Sequence, residues 1–300
     1  MKKYGSFLDG ELLDLKNEIA LLSPTDTPLY TMLAGRGAIV PAADITVSWR
    51  EKELNAVRGT LKLEGAEAGT EIQSTRTMKT NINQILEKVV SVSGTVRALA
   101  AKGLGDEFIA EVNDRLIEMK RDAEYYFLNG TYALEAGATP RQMNGLLNLV
   151  ANVEDVSDDA VAGQLTENTF LDAMQKVWTA GAQGEYVAFL NAGEKRIVNA
   201  LLKDSNSSRI IANAGENKLG IKVTQFDTDF GIINLVLNRW MPTGQILGVD
   251  MDYVEIAELR SPFYEDLAKT GDYSKGHVVA EQTIKLLNSK AGFKIVGITK

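Results

Sequence analysis

The clearest periodic pattern runs from Gly105 to Leu128. Phe108, Val112, Leu116, Met119, Ala123 and Phe127 recur at steps of four and three, which is one apolar stripe on a helix. Asp106 and Glu107 stand at its start, where the macrodipole favours carboxylates, and Asn129-Gly130 supplies a stop. A helix of this length spans ~36 Å. With a stripe only one face wide, it is predicted to lie across a sheet. A second helix is predicted after residue 165, with Thr166 and Thr169 as N-cap residues and Phe170, Met174, Val177 and Trp178 on one face. KRIVNALL (195–202) reads as a third. ITVSW (45–49), YVAFLN (186–191) and a series of β-branched runs after residue 220 read as strands. Helices and strands mix without a regular alternation, so the pattern predicts an α+β fold.

Two stretches break the pattern. Residues 1–44 read as an arm with short ordered pieces. Leu12, Leu13, Leu15, Ile19 and Leu22 give one short amphipathic helix, SPTDTP (23–28) ends it, and a further apolar piece starts at Pro28. From Arg50 to Glu71, nine charges fall in 22 residues: Arg50, Lys52, Arg58 and Lys62 against Glu51, Glu53, Glu64, Glu67 and Glu71. This predicts a long hairpin with a polar tip, whose arms bury little against their own domain. An arm of ~15 residues reaches ~50 Å when extended.

Composition adds mainly exclusions. The 300 residues contain no cysteine and one histidine, and the net charge is 32 − 40 = −8. Disulfides, a thiolate nucleophile, thiolate-bound metals and multi-histidine metal sites are therefore excluded. The acidic balance argues against a surface that condenses nucleic acid. No run of ~18 apolar residues is present to span a bilayer, so no membrane partner is expected. Asp9, Glu11 and Asp14 interrupt the N-terminal segment, so it does not read as a secretory signal. The expectation is a soluble protein that needs no oxidising compartment.

Candidate chemistry is thin. His277 reads as an ordinary sheet residue. KGLGDEF (102–108) places glycines before a helix but lacks phosphate-loop spacing and is followed by two carboxylates. Glu154-Asp155 and Asp227/Asp229 lack calcium-loop spacing. The expectation is no enzyme, no catalytic residue, no cofactor and no metal. The residues describe a structural or interaction protein with a projecting arm.

Four blocks, read in order, carry a family resemblance. EKVVSVSGTVRALAAKGLGDEFIAEVNDRLIEMKRDAEYYFLNG (87–130) resembles the loop-to-spine-helix region of one group of tailed-phage major capsid proteins. DTPLYTMLAGRG (26–37) with ITVSW is similar to that group's N-terminal arm and first loop strand. PRQMNGLLN (140–148) is similar to its R-x-M-x-GL segment, and residues 237–295 resemble its C-terminal half. Residues 150–185 depart most.

The resemblance implies the Hong Kong ninety-seven capsid fold: an N-terminal arm (1–44), an extended loop (45–92), and a peripheral domain (93–165) with its spine helix at 105–128. An axial domain (166–249) and peripheral return strands (250–300) follow. It implies a shell subunit that joins copies of itself into hexamers and pentamers. These would form an icosahedral or prolate head around double-stranded DNA in the virion, assembled in the host bacterial cytoplasm. Implied partners are a portal protein, a scaffolding or decoration protein, and DNA by weak non-specific contact, with Lys2, Lys3 and Lys16 giving at most weak DNA-facing charge. With ~44 residues before the loop, a separate scaffold or none is expected rather than a fused one. The alternative is the shell protein of an encapsulin-type nanocompartment. The nine loop charges (Arg50, Glu51, Lys52, Glu53, Arg58, Lys62, Glu64, Glu67 and Glu71) are the expected intersubunit contacts.

Overall fold

The computed structural model describes residues 26–56, 61–69, 71, 73–98, 107–157, 161–204, 225–269 and 271–299. The short helix expected around Leu12–Leu22 and the arm lysines lie outside them, as does Arg58. Six α-helices are described: α1 (Pro28–Arg36), α2 (Gly94–Ala98), α3 (Glu107–Asn129), α4 (Leu146–Leu149), α5 (Glu167–Thr179) and α6 (Ala192–Asp204). The strands are β1 (Ile39–Pro41), β2 (Thr46–Glu53), β3 (Thr75–Ile82), β4 (Gln84–Ser93), β5 (Asn152–Asp155), β6 (Glu185–Leu190), β7 (Gln225–Thr228), β8 (Gly231–Leu237), β9 (Ile246–Val249), β10 (Val254–Asp266), β11 (Tyr273–Leu286) and β12 (Gly292–Val296). They form a four-stranded sheet in the order β1-β10-β11-β4, a six-stranded sheet in the order β5-β12-β9-β6-β8-β7, and the ribbon β2-β3.

The long helix α3 lies across the four-stranded sheet. Met119, Ala123 and Phe127 share a core with Leu86 of β4 and Val278 and Ala280 of β11. Phe108 packs with Val90 and Val92 nearer the other end of the sheet. The strand β4 alternates in burial because Leu86, Val90 and Val92 face this helix. Residues 84–92, at the end of the segment expected as the loop, lie in β4, which pairs with β11 in the four-stranded sheet.

The six-stranded sheet is covered on both faces, so β6 is buried from Tyr186 to Leu190 rather than alternating. Val187 and Phe189 enter the core shared with α3, while Tyr186, Ala188 and Leu190 enter a second core beneath α5 and α6. Thr166 caps α5 through a reciprocal box with Thr169. The edge strand β5 pairs with β12, and β12 pairs with β9, so both strands belong to the six-stranded sheet. Phe293 and Ile295 of β12 fill the same core as Tyr186.

Candidate assembly interface: the extended loop and its anchor

The ribbon pairs Thr46 with Ile82 through to Glu53 with Thr75. Its base is fixed by Asn81-Ile82-Asn83-Gln84, all buried. The Asn81 amide donates to the carbonyls of Asn144 (2.9 Å) and Ile284 (2.7 Å), and its oxygen accepts from Asn144 N (2.8 Å). Gln84 Oε1 accepts from Met143 N (3.2 Å). Asn83 Nδ2 donates to Asp44 O (2.8 Å). Arg141 completes the clamp. Its Nε donates to Asn83 O (2.7 Å) and its guanidinium meets Glu281 at 2.6 Å, while Arg260 takes the other oxygen of Glu281 at 3.0 Å. The NINQ and R-x-M-x-G segments, sixty residues apart in the chain, thus satisfy each other's polar groups.

Two glycines make this crossing close enough. Gly145 N donates to Gly130 O at 2.9 Å. A Cβ at Gly130 would stand 2.5 Å from Met143 O, and one at Gly145 2.5 Å from Leu128 O. Both contacts are with backbone, which cannot yield as a flexible side chain can.

Beyond the base, alternation sorts the charges. Val47, Trp49, Glu51 and Glu53 share one face of β2, and Thr46, Ser48, Arg50 and Lys52 share the other. The first face lies on the chain's own body. Glu51 accepts from Ser289 N (2.7 Å) and Ser289 Oγ (3.0 Å), and Glu53 pairs with Lys290. The arm therefore buries more against its own domain than its composition implied. Arg50 and Lys52 face outward and are exposed.

Past Glu53 the described loop residues are mostly exposed. Leu54, Leu61 and Leu63 are 79%, 95% and 86% exposed. Glu64, Glu67 and Glu71 are exposed, and Lys62 Nζ donates to Glu67 O at 2.7 Å. Of the nine expected contact residues, then, Glu51 and Glu53 hold the arm to its own chain. Arg50, Lys52, Glu64, Glu67 and Glu71 are presented outward, Lys62 braces the tip, and Arg58 lies outside the described residues.

A second polar joint ties the arm's end to α3. Glu124 is fully buried. One oxygen accepts from Leu29 N (2.9 Å) and Asn238 Nδ2 (2.6 Å), and the other from Tyr30 N (2.7 Å). It therefore acts as a remote cap for α1, whose N-cap Thr27 makes no side-chain cap bond. Burial pushes its carboxyl above the usual range, against these hydrogen bonds and Lys120, which favour the charge. Sequence reading missed Glu124, Asn81 and Arg141. The available signal was polar residues inside otherwise apolar blocks (NINQ, and Glu124 between Ala123 and Tyr125).

His277 sits on β11 between two carboxylates, with Nδ1 2.7 Å from Glu87 and Nε2 3.5 Å from Glu265. The hydrogen bond to Glu87 raises its pKa, with Glu265 adding to it. These are cross-strand contacts between β11 and its two neighbours, β4 and β10. Among the described residues, no three His, Asp or Glu side chains gather as a metal set.

A family model described as SU10 major capsid protein matches residues 3–299. The chain belongs to that family. It is a phage major capsid protein, a structural component of the virion that associates with copies of itself. The major capsid protein of Escherichia phage Phieco32 is 25% identical over 333 residues, covering 94% of this chain and 93% of that one. The solved capsid of Cyanophage A-1(L) matches with a TM-score of 0.72 at 14% identity, over 97% of this chain and 98% of that one. The capsid of Myoviridae Phage XM1 matches at 0.60 and 12%, over 99% and 100%. The SrpI encapsulin of Synechococcus elongatus PCC 7942 matches at 0.60 and 11%, over 97% and 93%, a likeness of fold alone. The α+β architecture of this capsid protein is of the Hong Kong ninety-seven type.

Proposed function

We propose that this capsid protein closes its shell through the extended loop, with each copy laying its loop over a neighbour in rings of five and six. The observation that carries this reading is the contrast along the ribbon. Its base is clamped by Arg141, Asn81 and Gln84, while beyond Glu53 it carries leucines and charges that its own chain leaves exposed. A stiff base aims the loop, and an uncovered end needs a second surface. Head-to-tail contacts of this kind close into rings. Exposed ion pairs contribute only ~0–1 kcal/mol each, so the outward charges set register and partner choice more than affinity. Stability then comes from many contacts acting together within one closed shell.

In this reading the head encloses double-stranded DNA, is built in the host bacterial cytoplasm, and receives a portal protein at one vertex with a scaffolding or decoration protein as auxiliary partner. DNA contact is weak, in keeping with the net charge of −8. Residues 45–82 act as the loop. The region around the four-stranded sheet and α3 is the peripheral domain, and the six-stranded sheet with α5 and α6 is the axial domain. Reversing Arg50, Lys52, Arg58 and Lys62 to glutamate together is expected to abolish shell formation while leaving the subunit folded. Electron microscopy of the expressed variant, with circular dichroism as the control for folding, checks this. Normal shells from the variant would refute the role of these charges.

A further inference from the structure

Both ring nitrogens of His277 are met by carboxylates, and the two come from different strands. Nδ1 lies 2.7 Å from Glu87 of β4 and Nε2 lies 3.5 Å from Glu265 of β10, with β11 running between those strands. Glu265 stands directly opposite His277 in the register, and Glu87 is diagonal to it, opposite Val279. The imidazole is 19% exposed, against 50% for Glu87 and 62% for Glu265, so the ring is largely covered while the carboxylates stay hydrated.

The chemistry of the ring decides what this arrangement needs. A neutral imidazole has one N–H and one lone pair, so it donates to one carboxylate and turns the lone pair toward the other. A protonated imidazole donates at both nitrogens. Only the cation satisfies both contacts. The hydrogen bond to Glu87, with Glu265 behind it, favours that form. The other charges near the ring do not replace this pair. Lys275, two residues away on β11, shares the face by alternation and opposes protonation. Arg260, Glu281 and Arg141, four residues the other way, are engaged with one another. Lys88 and Asp122 pair at 2.6 Å on the opposite face, where α3 packs.

We propose that His277 is a proton-operated clasp of the four-stranded sheet. Protonated, it joins both β4 and β10 to β11 across the face turned away from α3. Deprotonated, it keeps one carboxylate and releases the other. The chain has one histidine, the side chain whose ordinary pKa lies nearest neutrality. The strand it grips, β4, starts at Gln84 in the clamped loop base, so the proton bears on the strand that carries the loop. The clasp acts within one subunit and needs no neighbour, so its test is separate from that of the loop reading. Its partners are half-exposed and screened, so the effect is a shift in melting temperature of about 1–3 °C rather than a loss of fold.

One histidine also gives one ring signal. In protein carrying isotope-labelled histidine, an NMR pH titration of the unassembled subunit should give a midpoint above the ordinary 6.5. Glu87→Gln and Glu265→Gln should each move it down. A midpoint at or below 6.5, or one that ignores Glu265→Gln, overturns the clasp. Calorimetry reads the consequence. A group whose folded pKa is raised gives stability that is fully present below its unfolded value and is lost as pH rises through the folded value. The wild-type lead over His277→Gln, about 1–3 °C near neutral-to-acid pH, should therefore vanish in mild alkali. The carboxyls of Glu124 and Asp250, which burial raises, are common to both proteins and cancel in the difference. An equal lead on both sides of the titration would mean that the ring serves by packing alone, and would refute the proposal. The NMR titration uses the wild-type ring, so it decides the matter even where His277→Gln fails to fold.

Discussion

Glu124→Ala is expected to destabilise the isolated subunit by about 3–5 kcal/mol. The substitution strands three donors, Leu29 N, Tyr30 N and Asn238 Nδ2, at a joint whose acceptor is fully buried. Each orphaned buried group costs about 1–3 kcal/mol. Part of this is offset because the ionised carboxylate is itself penalised by burial. For a domain of this size the melting temperature should fall by about 10 °C, read by calorimetry at neutral pH. Glu124→Gln keeps one acceptor and should lose less. The pH dependence has a definite sign. A carboxyl whose folded pKa is raised contributes stability that is fully present below its unfolded value near 4.3 and is lost as pH rises through the folded value. The wild-type lead over Glu124→Gln therefore shrinks as pH rises from about 4 toward neutrality. A lead that grows over that interval would show the carboxyl to be depressed, not raised.

Arg141→Ala should be comparably severe but with a different signature. It leaves Asn83 O without its donor and Glu281, a nearly buried carboxylate, with Arg260 alone. Breaking a buried pair from one side costs about 3–5 kcal/mol. The retained Arg260 contact places the expected value at the lower end. Because Arg141 reaches both the loop base and the sheet, hydrogen exchange should speed up selectively at residues 81–84 and along β3. Arg141→Lys should not rescue it, since one ammonium cannot replace separate Nε and guanidinium contacts. Exchange that rises uniformly over the chain would mean that Arg141 stabilises the fold without anchoring the loop.

Much of this was legible because the patterns concerned are local. The stripe from Phe108 to Phe127 predicted a helix lying across a sheet, and α3 does so. The Thr166/Thr169 cap and the strand at 186–190 follow from neighbouring residues alone. The alternation in TVSWREKE also held the answer to which loop charges face outward, but a count of charges conceals it. Arg50 and Lys52 share one face, while Glu51 and Glu53 share the face that meets Ser289 and Lys290. The joints were not legible. Glu124 to Leu29 spans 95 positions and Asn81 to Ile284 spans 203. Nothing in the residues beside Glu124 marks it as a cap for a distant helix. The sheet membership of β5 and β12 is equally non-local, set by Phe293 and Ile295 filling a core built mainly from residues 165–246. The family motifs are where such joints lie. The R-x-M-x-GL segment is a clamp for the loop base, and its glycine permits the close crossing with the end of α3.

This chain works by closing on copies of itself. Negative-stain electron microscopy of the purified protein at increasing concentration tests it most directly. Rings, sheets or closed shells are the predicted result. A uniform population of single 32.7 kDa subunits at the highest concentrations would contradict it.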